Sequence, residues 1–205
     1  MPSSPAARGR RPRLDHESVL RAAEALVDRD GYDALTMTLL AAELDTRVSS
    51  LYNHVANLED LRATLQVRAM TLLGGHVRAA AMGRAGADGL RVLSHSLRAF
   101  ARDHPHRYAA MTRAPLDREA FFEAAAGTIE ALSVMVRSTG LPEDRILQTG
   151  MAVFSALHGF VSLEVSGYFG GVDELDTVFA QVIRGAVTAA VLEATEPVAA
   201  TAWTA

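Results

Sequence analysis

A chain of 205 residues, 49% hydrophobic but only 6% aromatic, with a net charge of -4 and no cysteine, has room for one or two domains with a sizeable core and excludes a disulfide framework or a thiolate metal site. The longest apolar stretch, Met151 to Val165, is broken by His158 and Glu164 and falls short of the roughly 18 uninterrupted apolar residues of a membrane span. The N-terminal arginines lead into a charged segment instead of an apolar signal core, so a cytoplasmic location is expected.

Residues 1–13 carry Pro, Ser, Gly and Arg without periodicity and read as a mobile arm; Arg8, Arg10, Arg11 and Arg13 cluster there. Such an arm follows a phosphate track or enters a minor groove, or it is an ordinary solubilising tail. Asp15 then stands where it can cap a helix whose inward stripe is Val19, Ala22, Ala23 and Leu26, with Gly31 as its stop. In the next segment Met37, Leu40, Ala41 and Leu44 recur at helical spacing behind Thr36, a hydroxyl able to cap the first turn. Asp45, Thr46 and Arg47 interrupt the pattern, and a second short helix follows with Val48, Leu51, Tyr52 and Val55 as its apolar positions. It would show Ser49, Ser50, Asn53 and His54 to solvent, small polar groups suited to a helix lying in a major groove.

A long helix is expected from Asn57 or Glu59 to about Met82, where a tilt would move the reading head. Gly83 to Gly89 reads as a loop. Leu90, Leu93, Leu97 and Phe100 mark a helix ending near Asp103-His104-Pro105. Pro115 and Pro142 look like helix-start prolines, and the last two helices are expected at about 143–169 and 173–194, parted by Gly170-Gly171. No run of alternating β-branched residues with hairpin turns occurs, so the fold class is all-α, with about nine helices.

The run Leu35-Thr36-Met37 through Ala41, then Ser50-Leu51-Tyr52-Asn53-His54-Val55, ending in Asn57 and Leu61, resembles the DNA-binding domain of the TetR family of transcriptional regulators. Three positions depart from the usual pattern: Asp45 replaces the turn glycine, Arg47 a capping Ser or Thr, and Leu58 a phosphate-holding lysine. Phe154-Ser155-Ala156-Leu157-His158-Gly159-Phe160, with Arg98 to Pro105 and Tyr108 before it, resembles a TetR subgroup whose C-terminal signature contains Trp, His and Gly, Phe154 standing for the Trp.

The resemblance implies a homodimer that binds double-stranded DNA, the second short helix reading the major groove while Tyr52 and His54 hold phosphates. The domains are then an arm (1–13), a helix-turn-helix domain (14–59), an effector-binding and dimerisation domain (60–194) and a tail (195–205). The expected DNA contacts are Thr36, Arg47, Val48, Ser49, Tyr52, Asn53 and His54 with Arg11 and Arg13 of the arm. A small-molecule effector pocket is expected from Phe100, Tyr108, Met111, Phe121, Phe122, Met135, Phe154 and His158. The small-residue stripe Ser155, Gly159, Ser162 and Ser166, facing Phe179, Val182 and Ala186, is the expected dimer interface.

Electrostatics speaks against the DNA reading in one respect. Residues 1–64 hold eight arginines and ten acids, a net of -2, where a DNA-binding surface is ordinarily basic. The alternative is a small-molecule binding module with weakened or lost DNA binding. Catalysis is not expected, because His95, His104, His106 and His158, with Ser155 or Glu164, form neither a metal set of matched spacing nor a nucleophile turn. No cofactor or metal is called for.

Overall fold

A computed structural model describes residues 14–195, so the predicted arm contacts Arg11 and Arg13 lie outside the described residues. Among the described residues the chain forms nine helices: α1 His16–Asp30, α2 Met37–Glu43, α3 Val48–Leu51, α4 Leu58–Ala81, α5 Gly86–Asp103, α6 Pro105–Met111, α7 Arg118–Arg137, α8 Glu143–Val165 and α9 Leu175–Thr195. Two compact units meet between Leu61 and Arg62, within α4.

In the first unit each helix end is written in side chains that satisfy orphan amides. Asp15 Oδ1 accepts from the Ser18 amide at 2.7 Å while Ser18 Oγ accepts from the Asp15 amide at 2.9 Å, a reciprocal capping box. Thr36 Oγ1 accepts from the Leu39 amide at 3.1 Å to start α2. Asn57 Oδ1 accepts from the Asp60 amide at 2.8 Å, and Asp60 Oδ2 from the Ala56 amide at 3.1 Å, which fixes the start of α4 at Leu58. Between these caps Val19, Leu26, Leu35, Leu40, Leu51 and Leu61 are fully buried, so α1 braces the helix-turn-helix through one small core.

The second unit holds α5 to α9 and the rest of α4 around Phe100, Tyr108, Met135, Leu157, Phe160 and Phe179. Several predicted boundaries shift. α5 begins at Gly86, inside the expected loop, and Gly89 lies buried where an added Cβ would run into the Met135 side chain of α7. Pro105 does not simply end a helix: α5 stops at Asp103, and the proline occupies the first turn of the separate α6, where its missing N–H costs nothing. Pro115 does not start α7; Asp117 does, its carboxylate accepting from the Ala120 amide at 3.0 Å. α8 ends at Val165, not near Phe169. Gly167, with φ +75°, donates to the Glu164 carbonyl and Tyr168 to that of Leu163, each at 3.0 Å, a Schellman ending that glycine makes inexpensive.

Arg98 of α5 is the unit's buried charge, 6% exposed. Its Nε and Nη2 donate to the two Glu164 oxygens at 2.7 and 2.6 Å, and Nη1 lies 2.7 Å from Asp176 Oδ1. The guanidinium also sits 4.7 Å from the Phe179 ring centroid and 5.6 Å from that of Phe160. α5, α8 and α9 are thereby tied at one point. Glu164 hydrogen bonding is the main reason the guanidinium holds its proton even more firmly than usual, against the opposing effect of burial.

Candidate nucleic-acid interface and effector site

The turn between α2 and α3 leads into the predicted DNA contacts. Asp45 takes φ +47°, and its amide donates to Ala42 at 3.2 Å while that of Thr46 donates to Ala41 at 2.9 Å. This is the same Schellman geometry that Gly167 makes at the end of α8, imposed here on a side chain with a Cβ. Asp45→Gly is therefore expected to stabilise the chain by about 0.5–1 kcal/mol, read as a raised urea midpoint with unchanged slope.

α3 is shorter than predicted. It ends at Leu51, and Tyr52 to His54 form a turn in which the His54 amide donates to the Leu51 carbonyl at 2.8 Å. The rotation corrects one assignment: Leu51 and Val55 are buried, but Tyr52, placed in the apolar stripe from sequence, is 52% exposed. Arg47, Ser49, Tyr52 and Asn53 are all exposed along this edge, with Val48 and His54 half-buried. Arg47 occupies the N-cap of α3 with no side-chain hydrogen bond to the helix amides, and its carbonyl accepts from the Ser50 amide at 2.9 Å. Thr36 is exposed, but its hydroxyl oxygen already serves as the α2 cap.

His16 was missed by sequence reasoning. Its Nδ1 donates to the His54 carbonyl at 2.7 Å and so anchors the reading turn to α1 across a separation of 38 residues, which no local pattern could signal.

Charges in this unit are unevenly distributed. Arg29 is held by Asp30 at 2.9 Å and Glu43 at 3.2 Å, and Arg21 lies 3.8 Å from Glu17. Arg47 makes no salt bridge among the described residues. Among the described residues, then, Glu17, Asp30 and Glu43 are paired with arginines away from this edge, while Arg47 stands on it.

In the second unit the predicted pocket residues separate into two groups. Phe100, Tyr108, Met111 and Met135 are buried and pack as core, with Phe121 partly buried beside them. Phe122 and Phe154 are 44% and 43% exposed, outside that core; Phe122 lies beneath the Arg118 guanidinium at 4.9 Å. The polar feature is a contact between Tyr108 Oη and His158 Nδ1 at 2.8 Å, with Ser162 Oγ 3.3 Å from the same nitrogen and Phe154 stacked on the imidazole at 5.5 Å. Burial pushes the Tyr108 hydroxyl well above the ordinary phenol range, offset in part by Ser162, and holds His158 below the ordinary imidazole value. Ser162 Oγ also lies 3.4 Å from His158 Nε2, so the imidazole meets the hydroxyls of both Tyr108 and Ser162.

The predicted dimer stripe is likewise divided. Ser155 and Gly159 of α8 and its C-cap Ser166 are exposed, whereas Ser162 is half-buried beside His158. Phe179 is fully buried under Arg98, Val182 half-buried and Ala186 9% exposed, because α9 turns Phe179, Ile183, Ala186 and Ala190 inward. Its outward face is Val178, Gly185, Ala189 and Leu192. Gln148, Ala152 and Ala156 of α8 and Gly185, Ala186 and Ala189 of α9 border an open groove of about 370 Å³. By length and composition, α8 and residues Leu175–Leu192 of α9 could each cross a membrane, with 39% and 22% of their most apolar windows buried. Sequence reading, stopping at His158 and Glu164, took the first to be too short.

A family model described as "Tetracyclin repressor-like, C-terminal domain" matches residues 90–202. An HTH-type transcriptional regulator of Mycobacterium tuberculosis is 36% identical over 173 residues, 83% of this chain and 79% of that protein. The chain belongs to the TetR family of transcriptional regulators. Two solved structures share the fold over most of the chain. BioQ with its double-stranded DNA operator gives a TM-score of 0.62 at 20% identity over 85% of this chain and 99% of that one. Streptomyces coelicolor ActR, a TetR family protein in complex with (S)-DNPA, gives 0.65 at 19% identity over 89% and 100%. As a TetR-family member the chain is a DNA-binding regulator and not an enzyme, with its helix-turn-helix in the first unit and the matched C-terminal domain in the second.

Proposed function

We propose that this TetR regulator is a ligand-responsive cytoplasmic repressor, binding a pseudo-palindromic operator as a homodimer and released by a small apolar effector. The observation that carries the reading is the exposed edge Arg47, Ser49, Tyr52 and Asn53 on a helix-turn-helix whose start, turn and exit are each fixed by hydrogen bonds. Arg47 and Tyr52 hold phosphates, with the His54 ring beside them, and Ser49 and Asn53 face base edges. Leu58, half-buried at the start of α4, adds no cation there, so Arg47 and the Arg8 to Arg13 arm take a larger share of the backbone grip.

The second copy covers the outward apolar face of α8 and α9, where Ser155, Gly159 and Ser166 meet their counterparts. An effector enters beside the Tyr108–His158 pair and favours a state whose two heads no longer match major grooves about 34–36 Å apart. The operator complex of BioQ and the (S)-DNPA complex of ActR, on the same fold, support this division of labour.

The test is a footprint and gel shift on DNA flanking the protein's own gene. A protected pseudo-palindrome is expected. Tyr52→Phe and His54→Ala should weaken binding to all sequences alike, whereas Asn53→Ala should relax base preference at one position by about 1–3 kcal/mol. A change in preference from His54→Ala, with none from Asn53→Ala, would overturn the assignment of roles.

A further inference from the structure

The first helix touches the helix-turn-helix at both of its ends. At its C-terminal end Arg29 Nη1 donates to Glu43, the last residue of α2, at 3.2 Å. At its first residue, His16 Nδ1 donates to the His54 carbonyl at 2.7 Å. Positions 16 and 29 stand about 20 Å apart along the helix axis. α1 therefore bridges the end of α2 and the turn that follows α3, and it holds both from outside the helix pair.

The two contacts differ in kind. Arg29 and Glu43 form a surface ion pair, their side chains 54% and 39% exposed, and pairs of that sort hold little. The His16 bond is directional and ends on backbone. His54 lies beyond the end of α3 at Leu51, where carbonyls lack an intrahelical partner. Its amide is held within the turn, donating to the Leu51 carbonyl at 2.8 Å, and two residues on the Ala56 amide donates to Asp60 Oδ2 at 3.1 Å. With its carbonyl on His16 as well, His54 is fixed at both backbone groups, and Tyr52 and Asn53 are strung between Leu51 and that fixed point. A carbonyl only accepts, so the bond requires the hydrogen of the His16 ring on Nδ1.

We propose that His16 is a positioning residue for operator recognition: by holding the His54 carbonyl it sets how Tyr52, Asn53 and His54 leave α3, and so shapes sequence choice without itself touching a base. The inference rests on the operator-binding reading above. A contact to a base edge needs donor and acceptor in place to within a fraction of an ångström. Attraction to phosphates falls off slowly with distance and tolerates a loose turn. Release of the His54 carbonyl therefore weakens the specific complex more than the non-specific one.

The experiment uses the full chain, the operator fragment protected by the wild type and a scrambled duplex of the same length. Asparagine carries Nδ2 where histidine carries Nδ1, one bond from Cγ, so His16→Asn keeps the donor and His16→Ala removes it. His16→Ala is expected to lower operator affinity by about 10-fold, one bond being lost in each of two heads, and to leave affinity for the scrambled duplex within about two-fold of wild type. His16→Asn should stay within about two-fold of wild type on both duplexes. Equal losses from His16→Ala and His16→Asn would make the imidazole itself a DNA contact, and equal losses on the two duplexes would make its role independent of sequence; either overturns the inference. So does an operator affinity for His16→Ala within about two-fold of wild type. If the wild type protects no operator, it is the proposed function that fails. The ring-nitrogen chemical shifts of His16 in alkaline solution, read without DNA, then decide the tether: hydrogen on Nδ1 is expected, and hydrogen on Nε2 overturns it.

Discussion

Glu164→Ala is expected to cost about 3–5 kcal/mol, because it strands a buried guanidinium. The Arg98 side chain is 7% exposed and that of Glu164 10%, and their two hydrogen bonds at 2.7 and 2.6 Å are the guanidinium's main compensation. What remains is Asp176, 86% exposed and screened by water, together with the faces of Phe160 and Phe179. At about 2–4 °C per kcal/mol for a chain of this size, the midpoint of thermal melting should fall by roughly 10 °C. Asp176→Asn, acting on the exposed partner, should stay within about 1 kcal/mol. Replacing both Arg98 and Glu164 by Met should recover much of the loss, since a buried ion pair is stabilising chiefly relative to half of itself. A Glu164→Ala protein that melts with the wild type would mean that Asp176 and the aromatic faces suffice to hold the charge.

Gly159→Arg should leave the fold of each chain intact and separate the proposed dimer. An added Cβ at Gly159 meets nothing within 4 Å in the single chain, and Arg is the better helix former. In a two-fold interface, however, the substitution appears twice and places two arginines in an apolar seam. Sedimentation should show a monomer with unchanged circular dichroism. Operator affinity should drop by roughly 100-fold or more as the second head's effective concentration is lost. A stable dimer in this variant would move the interface off the outer α8 face.

Much of the first unit was readable because its signals are local. Asp15, Thr36 and Gly31 stand one residue outside their helices, and the Leu40–Leu51 core follows helical spacing. What could not be read is how the chain turns between helices. Tyr52 satisfies a period of 3.6 only if α3 continues, and it ends at Leu51. In the second unit periodicity finds inward stripes but not their angular origin. Phe179 belongs to an apolar stripe of α9 in either reading, and only its packing under Arg98 at 4.7 Å places it in the core instead of the interface. Arg98–Glu164, His16–His54 and Gln66 with Ala110 join residues 66, 38 and 44 positions apart, and spacing carries no trace of them. The Tyr108–His158 contact joins two residues that had been assigned to one pocket, yet brings in Ser162 from the expected dimer stripe.

A chain that grips DNA with a head that is not basic in sum should show it in operator affinity measured as a function of salt. Each phosphate neutralised contributes a slope of about 0.9 in log affinity against log salt, so a dimer using Arg47 and the arm of each copy should lose roughly 10³-fold between 50 and 200 mM salt. Deleting residues 1–13 should flatten that slope by several units. An affinity for the flanking DNA that is weak and insensitive to salt would contradict the account and make the protein a small-molecule binding module on a TetR fold.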